Sequence, residues 1–400
     1  MDAALVGYVI DWLHLGVRWL HIIAAIAWVG ASFYFIALDY SLRPPVARAE
    51  SEGVGGESWE IHGGGFYRID KFRLAPAQLP ASLRWFKWEA YTTWLSGFAL
   101  LVLLYYVDAG VTLVDPNVLA LDPWLAIAAS VVLIGASWIA YDQLARRLAG
   151  GSRELTAAIV VLVIAVTWIA AHLFSSRAAY IEVGAALGTW MAANVFFVII
   201  PGQRELVAAA QAGREPEPRY AAAGKQRSVD NNYLTLPVLF AMISQHFPFT
   251  YANPNAWLVL LGLMGIGATV RHFFNLRHQG RLRWGVLGAA LVAAVALAVA
   301  IAPNPSALAV AAGPSDFGAV RGIVGTRCIL CHTATPAYPG ILTPPRGLAF
   351  DDPAVIRQQA SAIYEQVVVA RRMPLGNVTR MTDDERAVIA RWFAAGAPEH

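Results

Sequence analysis

Long apolar segments follow one another through residues 12–302 and limit what this chain can fold into. A helix needs about 20 largely apolar residues to cross a bilayer. Hydrophobic residues make up 57% of the sequence and charged residues 14%, whereas roughly 25% of an average soluble protein is charged. These values exclude a disordered chain, a coiled coil and an ordinary soluble enzyme. The predicted spans are 12–40, 89–107, 122–141, 155–174, 180–200, 231–248, 255–275 and 284–302.

Lys and Arg are distributed very unequally between the loops that join these spans. The four loops on one side contain seven, three, five and four of these residues, and the other side contains only Arg177. Because basic residues accumulate in cytoplasmic loops, the count predicts an even number of spans with both termini outside. The predicted fold class is all-α: a polytopic transmembrane helix bundle of about eight spans over residues 1–302, followed by a small C-terminal domain.

The character of the sequence changes after the last predicted span. Residues 303–316 are rich in Pro, Ala and Ser and are predicted to be a linker, and residues 317–400 to be a small soluble domain. This domain contains the only two cysteines, Cys328 and Cys331, followed directly by His332. At this spacing two thiols can form thioethers to haem vinyl groups, and the adjacent His can ligate the iron. We therefore predict one covalent haem c, with a redox dithiol as the alternative.

Two methionines compete for the other axial position of this predicted haem. Met373 is followed by Pro374 and lies 41 residues after His332, and a thioether before a Pro-fixed turn suits a distal ligand. Met381 precedes Thr-Asp-Asp-Glu, a predicted capping box that opens a last helix, where a Met is more often a packing residue. We predict a class I-like cytochrome c domain with His332 and Met373 on the iron. Covalent haem is normally assembled in the bacterial periplasm, so the predicted location is the inner membrane with this domain outside.

Histidines in the spans are a functional hypothesis, because His is costly at membrane depth. His14 and His21 are seven residues apart and therefore lie on one helix face, about 10 Å apart along the axis. Paired His from different helices can hold a b-type haem. Haem b in the membrane domain is thus a second cofactor hypothesis, beside the alternative of His residues that only form hydrogen bonds. The candidates are His14, His21, His172 and His246 toward the outer side, and His62 and His272 toward the inner side.

The most unusual loop sequence is HGGGFY at residues 62–67, followed by Arg68, Lys71 and Arg73. Consecutive glycines permit positive φ and a close backbone approach to a ligand. Backbone N–H groups beside basic side chains suit a planar anion. The loop is neither a Walker loop nor a Rossmann fingerprint. A flexible loop without a ligand is the alternative.

Polar residues also enter two apolar runs at their predicted cytoplasmic ends. These are Lys87-Trp88-Glu89 before the second span and Asp230-Asn231-Asn232-Tyr233 at the start of the sixth. Polar groups inside a membrane are expensive and therefore point to function. The two clusters are predicted to line one inner cavity, with helix capping and anchoring as the alternative.

Four segments resemble the membrane-bound urate oxidase family, the urate hydroxylases of the PuuD type. They are HGGGFY (62–67), LRWFKWEAYTTWLSG (83–97), NNYLTLPVLFAMISQHFP (231–248) and CxxCH…MPLGN (328–377). The resemblance extends over essentially the whole chain. It implies an eight-span urate-oxidising domain fused to a cytochrome c. It also implies oxidation of urate to 5-hydroxyisourate in purine catabolism, with electrons passed to the cytochrome c domain and on to the respiratory chain.

The resemblance does not supply the catalytic residues of the membrane domain. With urate as the substrate that the resemblance implies, we expect it to enter from the cytoplasm and bind near the Gly-rich loop, with membrane haems as the bridge to the outer haem c. Other expected partners are the lipid bilayer and an electron acceptor such as a soluble cytochrome c or a terminal oxidase; no nucleic acid is expected. A membrane-anchored electron carrier and a quinol-oxidising subunit are the alternative functions. The residues expected to transfer protons or bind urate are His62, Lys71 and Glu89, and those expected to contact urate are Gly63, Gly64, Gly65, Tyr67, Asn231 and Asn232.

Overall fold

A computed structural model of the chain describes residues 3–46, 50, 53–73, 75–76, 78–149, 152–302, 316–338, 341, 343–369 and 371–399. The predicted linker lies outside the described residues apart from Asp316. The main helices of the N-terminal part are α1 (Ala3–Ser41), α2 (Trp88–Leu101), α3 (Pro123–Arg147), α4 (Ser152–Leu173), α5 (Ser176–Asn194), α6 (Ile200–Gln211), α7 (Pro218–Ile243), α8 (Ala256–His278) and α9 (Trp284–Ala300).

Several of these helices have the length and apolar composition that a membrane span requires. Among the described residues there are five, and α9 is apolar but shorter. The predicted spans 89–107 and 231–248 also fall on helical segments, since α2 continues as a π-helix over Val102–Tyr106 and α7 covers most of the second range. The five long apolar helices are Tyr8–Ser41, Pro123–Arg147, Arg153–Leu173, Ser176–Gln211 and Ala256–His278, of which Ser176–Gln211 includes both α5 and α6.

Side-chain caps explain where helices α3 and α5 begin. The Asp122 side chain accepts a hydrogen bond from the Trp124 N–H, and Pro123 occupies the first turn of α3, where its missing N–H costs nothing. The Ser175 side chain accepts a hydrogen bond from the Ala178 N–H at the start of α5.

The prediction of an all-α chain is wrong for the segment between α1 and α2. Strands β1 (Val54–His62) and β2 (Gly65–Phe72) form an antiparallel hairpin in which His62 pairs with Gly65. Gly63 and Gly64 form the two-residue turn, with φ of +56° and +82°. Positive φ at both central residues is what a type I′ hairpin turn requires, and this explains why glycine stands at both positions.

Ion pairs and a hydrogen bond fasten this hairpin to the end of α1. The Tyr34 hydroxyl donates to Glu60 Oε2 at 2.7 Å. Asp39 pairs with Lys71 of β2 and with Lys225 of α7, the latter at 2.9 Å. The hairpin therefore lies at the end of the bundle where α1 finishes and α7 begins.

The core of the helix bundle is built around α5, which is buried on nearly all sides. The fully buried Trp190 ring stacks on Tyr141 of α3 at a centroid distance of 5.0 Å. The Trp190 indole N–H donates to Ser137 at 3.0 Å. By contrast, α1 exposes large apolar side chains such as Trp19 and Ile26, which suits a lipid environment.

The C-terminal part has an apolar cluster of its own. Its main helices are α10 (Phe317–Arg327), α11 (Pro353–Gln358) and α12 (Asp383–Ala394). Phe317 of α10 stacks on the fully buried Trp392 of α12 at 5.7 Å. The predicted capping box is confirmed, since Thr382 and Glu385 exchange both of its hydrogen bonds. We refer to this part as the C-terminal unit.

The C-terminal unit packs on those ends of the bundle that carry few basic residues. Arg372 donates to the Tyr251 hydroxyl at 3.0 Å and to the Gln245 carbonyl at 2.6 Å. Gly376, with φ of +58°, lies so close to the backbone of the loop after α2 that an added Cβ would overlap the Val111 carbonyl. These loops are the ones that the Lys and Arg count assigned to the side of the C-terminus.

Candidate functional site

Both cysteines and the neighbouring histidine lie on one tight turn directly after α10. The N–H groups of Cys331 and His332 both donate to the Cys328 carbonyl, at 3.2 and 2.9 Å. Both cysteines are free thiols. The turn therefore presents two thiols and an imidazole together, as covalent attachment of haem requires.

The orientation of His332 leaves one ring nitrogen available for a metal. Its Nδ1–H donates to the Leu348 carbonyl at 3.0 Å, which leaves Nε2 as the ring nitrogen that could bind a metal. Metal-binding histidines are typically oriented by such a hydrogen bond from the opposite nitrogen. The Phe350 ring lies 5.0 Å from the imidazole and limits its rotation.

The pKa values of both thiols are raised, whereas a redox dithiol needs a lowered pKa. Burial raises the pKa of Cys328 to about 12, with a further contribution from the nearby Cys331. Burial also raises the pKa of Cys331. Reactive cysteines have lowered pKa values, because the thiolate is the nucleophile. Raised pKa values therefore do not favour the redox-dithiol alternative, and haem attachment stays a prediction.

Both candidate methionines contact the apolar cluster of the C-terminal unit, but their surroundings differ. Met381 is 4% exposed, and its N–H is fixed by the Asn377 side chain at 3.0 Å. Met373 is partly buried, and its carbonyl accepts a hydrogen bond from Arg386 at 2.9 Å. Met381 is thus the better packed of the two.

The candidate soft donors in the described part of this unit are two thiols, one imidazole and two thioethers. Within the described ranges, no three His, Cys, Asp or Glu side chains converge into a set that could hold a metal ion. The residues therefore fit a haem c, with His332 and Met373 as predicted axial ligands, better than a bare metal ion.

A cavity of about 590 Å³ lies between the C-terminal unit and those ends of the helix bundle on which this unit packs. One wall comes from the loop after α2, the start of α5 and the loop before α8. The opposite wall comes from residues 371–386. Arginines are its most frequent charged residues: Arg177, Arg371, Arg372, Arg380 and Arg386.

A buried hydrogen-bond network joins α3, α5 and α7. The Asn194 amide donates to the Tyr141 hydroxyl at 2.9 Å and to Asn231 Oδ1 at 2.8 Å. The Tyr141 hydroxyl donates to Asp230 at 2.8 Å, and the Asn231 amide donates to the Met191 carbonyl at 3.0 Å. Because its side chain is already used in this network, Asn231 stabilises the helix packing.

A second polar cluster surrounds Arg271, whose charge was assigned to a loop on the basis of the sequence. Arg271 is 4% exposed, donates to Asn232 and Asn275 at 2.9 Å each, and lies over the Phe33 ring at 4.1 Å. In the described part of the chain it pairs with no carboxylate, and the buried Asn232 amide nitrogen has no partner. The signal for this cluster was the position of Arg271 inside the apolar run 255–275, where a charge is costly.

Three of the candidate haem b ligands form hydrogen bonds with neighbouring groups. His21 Nδ1 donates to the Thr93 carbonyl at 3.0 Å, and His172 Nδ1 to the Trp168 carbonyl at 2.7 Å. His272 Nδ1 lies 2.7 Å from the Tyr233 hydroxyl. Of the other candidates in the helix bundle, His14 is half-buried and His246 is exposed.

No hydrogen bond or ring contact joins two of these histidines in the residues that the structure describes. The His21 ring instead lies against Gly97 of α2, where an added Cβ would be 2.9 Å from its Cε1 atom. Close approach of α1 and α2 is therefore one reason for glycine at position 97. Haem b stays a prediction.

The remaining predicted site residues lie at the hairpin and at the start of α2. His62, Gly63, Gly64 and Tyr67 are exposed at or near the hairpin tip, with Gly65 partly covered. The Lys71 ammonium is paired with Asp39. Glu89 lies in the first turn of α2 with a buried carboxylate oxygen that has no partner among the described residues. Their roles in proton transfer and urate binding stay predictions.

These features define a predominantly helical protein with helices long enough to cross a membrane and a separate C-terminal helical unit. Residues 7–302 match the family model described as the urate oxidase N-terminal domain. The match covers the whole helix bundle and the hairpin, so the chain belongs to this family. Comparisons with curated proteins and with solved structures found no match.

Proposed function

We propose that this protein is a membrane-bound urate oxidase that delivers electrons to its C-terminal unit. The observation that carries the proposal is the family match over residues 7–302. The thiol pair and oriented imidazole of the C-terminal unit support the electron-transfer part. The long apolar helices and the Lys and Arg count support insertion in a bacterial inner membrane, with the C-terminal unit in the periplasm.

The proposed reaction converts urate and water to 5-hydroxyisourate. The water oxygen forms a new bond to C5 of the purine, and two protons and two electrons leave. Haem c bound at Cys328, Cys331 and His332 would accept these electrons one at a time, so each turnover needs two equivalents of an external one-electron acceptor such as a soluble oxidised cytochrome c. Molecular oxygen is not required in this balance, and no hydrogen peroxide is formed.

The protein must bind an anion and accept protons from it. Of the groups described above, the arginines that line the outer cavity and the buried Arg271 have the charge that an anionic purine needs. Arg271 has little room around it, because its guanidinium stacks on Phe33 and is held by two amides.

Purified full-length protein supplied with urate or with a quinol separates this proposal from a quinol-oxidising subunit. We expect consumption of urate and reduction of added oxidised cytochrome c in a ratio of one to two. Reduction by quinol but not by urate would contradict the proposal. Reduction by neither would indicate an electron carrier that the helices only anchor.

A further inference from the structure

We propose that the cavity between the helix bundle and the C-terminal unit is the binding site of the urate anion. The inference rests on the proposed function and adds the place where the substrate binds. At about 590 Å³, the cavity is within the roughly 300–1,000 Å³ range of small-molecule sites. Both parts of the chain line it, so the site is complete only when they are docked.

The charge of the cavity suits an anion. Five arginines line it, and the acidic residues on its surface are Asp115 and Asp383. A planar guanidinium can form two parallel hydrogen bonds to an oxyanion and can stack on a planar ring. Urate offers both features, because it is a flat, anionic purine with several carbonyl oxygens.

Most of these arginines already have structural partners. Arg372 holds the two parts of the chain together, and Arg386 donates to the carbonyls of Val367 and Met373. Arg371 pairs with Asp383 at 2.9 Å. Arg380 is exposed to the cavity and, in the part of the chain described, its side chain has no ion-pair or hydrogen-bond partner. Arg380 is therefore the residue that we assign to the urate anion.

The backbone around Arg380 is held in an uncommon conformation. Arg371, Asn377 and Arg380 all have positive φ, at 48°, 48° and 55°, and all three line the cavity. Non-glycine residues seldom adopt such angles, and they cluster at ligand sites where the surrounding structure imposes them. Three of the five non-glycine residues with positive φ in the described part of the chain thus lie on this wall of the cavity.

The position of the cavity also suits electron transfer. Arg386 lines the cavity and donates to the Met373 carbonyl at 2.9 Å. Urate bound here would lie beside the loop that carries the predicted iron ligand. Electrons would not need to cross the membrane, as they would from the hairpin at the opposite end of α1.

The test compares Arg380→Gln with wild-type holoprotein and with Arg321→Gln as a matched control. Arg321 is an exposed arginine on α10 outside the cavity, so its substitution removes the same charge from the same unit. Urate binding is measured by equilibrium dialysis on protein whose haem has been reduced with dithionite, so that turnover cannot occur. We expect Arg380→Gln to weaken binding and to raise KM roughly tenfold or more, with unchanged haem content and Arg321→Gln within about twofold of wild type.

A second variant acts from the opposite wall without removing charge. Val118 lines the cavity and is 37% exposed, so Val118→Trp should fold and partly fill the space. Val118→Trp should weaken urate binding as well. If Arg380→Gln loses its haem, the urate affinity of Val118→Trp alone tests whether urate binds in the cavity. Wild-type urate affinity in Val118→Trp, or in an Arg380→Gln protein that retains its haem, would overturn the inference while leaving urate oxidation intact. A wild-type protein that does not oxidise urate would instead refute the proposed function.

Discussion

At the scale of single residues, Cys328 and Cys331 carry the claim of covalent haem attachment. Their thiols are adjacent on one turn and are held beside the oriented His332. We predict that the double variant Cys328→Ala/Cys331→Ala loses covalent haem, and that its C-terminal unit becomes protease-sensitive because the small unit lacks its apolar centre. Haem-stained peroxidase activity on a denaturing gel measures the loss, and full retention of that stain would contradict the assignment.

Substitution of Met373 and substitution of Met381 are expected to have different effects. Met373→Ala should lose the sulfur-to-iron absorption feature and have a lower reduction potential, because thioether ligation raises it. Met381→Ala should keep both but lose about 2–5 kcal/mol of unfolding free energy, because its side chain is 4% exposed in the apolar cluster. Absorption spectra, potentiometry and denaturant unfolding of the two variants make the comparison. An unchanged spectrum in Met373→Ala with a changed one in Met381→Ala would reverse the assignment.

At the scale of residues, local patterns could be predicted from the sequence, whereas contacts between distant segments could not. The capping box of Thr382 and Glu385 was predictable because it is a local pattern. The surroundings of Arg271 were not, because its position inside the apolar run 255–275 shows that its charge is costly but not which residues of α1 and α7 contact it. Arg380 likewise gains significance only through a cavity formed by distant parts of the chain.

At the scale of secondary-structure elements, Gly376 controls how the C-terminal unit docks. Its positive φ and its contact with the Val111 backbone leave no room for a side chain. We predict that Gly376→Ala loosens docking, retains haem and slows urate-driven haem reduction roughly tenfold or more, because the cavity loses one wall. Stopped-flow reduction and limited proteolysis measure this. Gly322→Ala is the control, since Gly322 lies on α10 with open space around it; equal effects in the two variants would contradict a docking role.

The helices were largely predictable, and the hairpin was not. Apolar runs of membrane length indicate helices on their own, because a chain in lipid must satisfy its backbone hydrogen bonds locally. The glycines at 63–65 were interpreted as a ligand loop, although alternating residues on both sides also fit a hairpin. The positive φ of Gly63 and Gly64 is explained by the turn itself.

At the scale of the whole molecule, the number of haems distinguishes two routes for the electrons. Urate bound near the hairpin would require haems inside the bundle, whereas urate in the outer cavity would need only haem c. The cavity proposal predicts a pyridine haemochrome spectrum of haem c alone in purified, urate-active protein. One or more equivalents of haem b that are needed for turnover would instead support the relay through His14, His21, His172, His246 or His272.

The central claim is that urate reduces the haem of this chain directly. The most direct measurement mixes oxidised, purified full-length protein with a limiting amount of urate in the absence of oxygen and follows the absorbance of reduced haem c. We expect two reduced haems for each urate consumed, because the two electrons lost by urate reduce two one-electron haems on separate protein molecules. A haem that stays oxidised in the presence of urate, yet is fully reduced by dithionite, would contradict it.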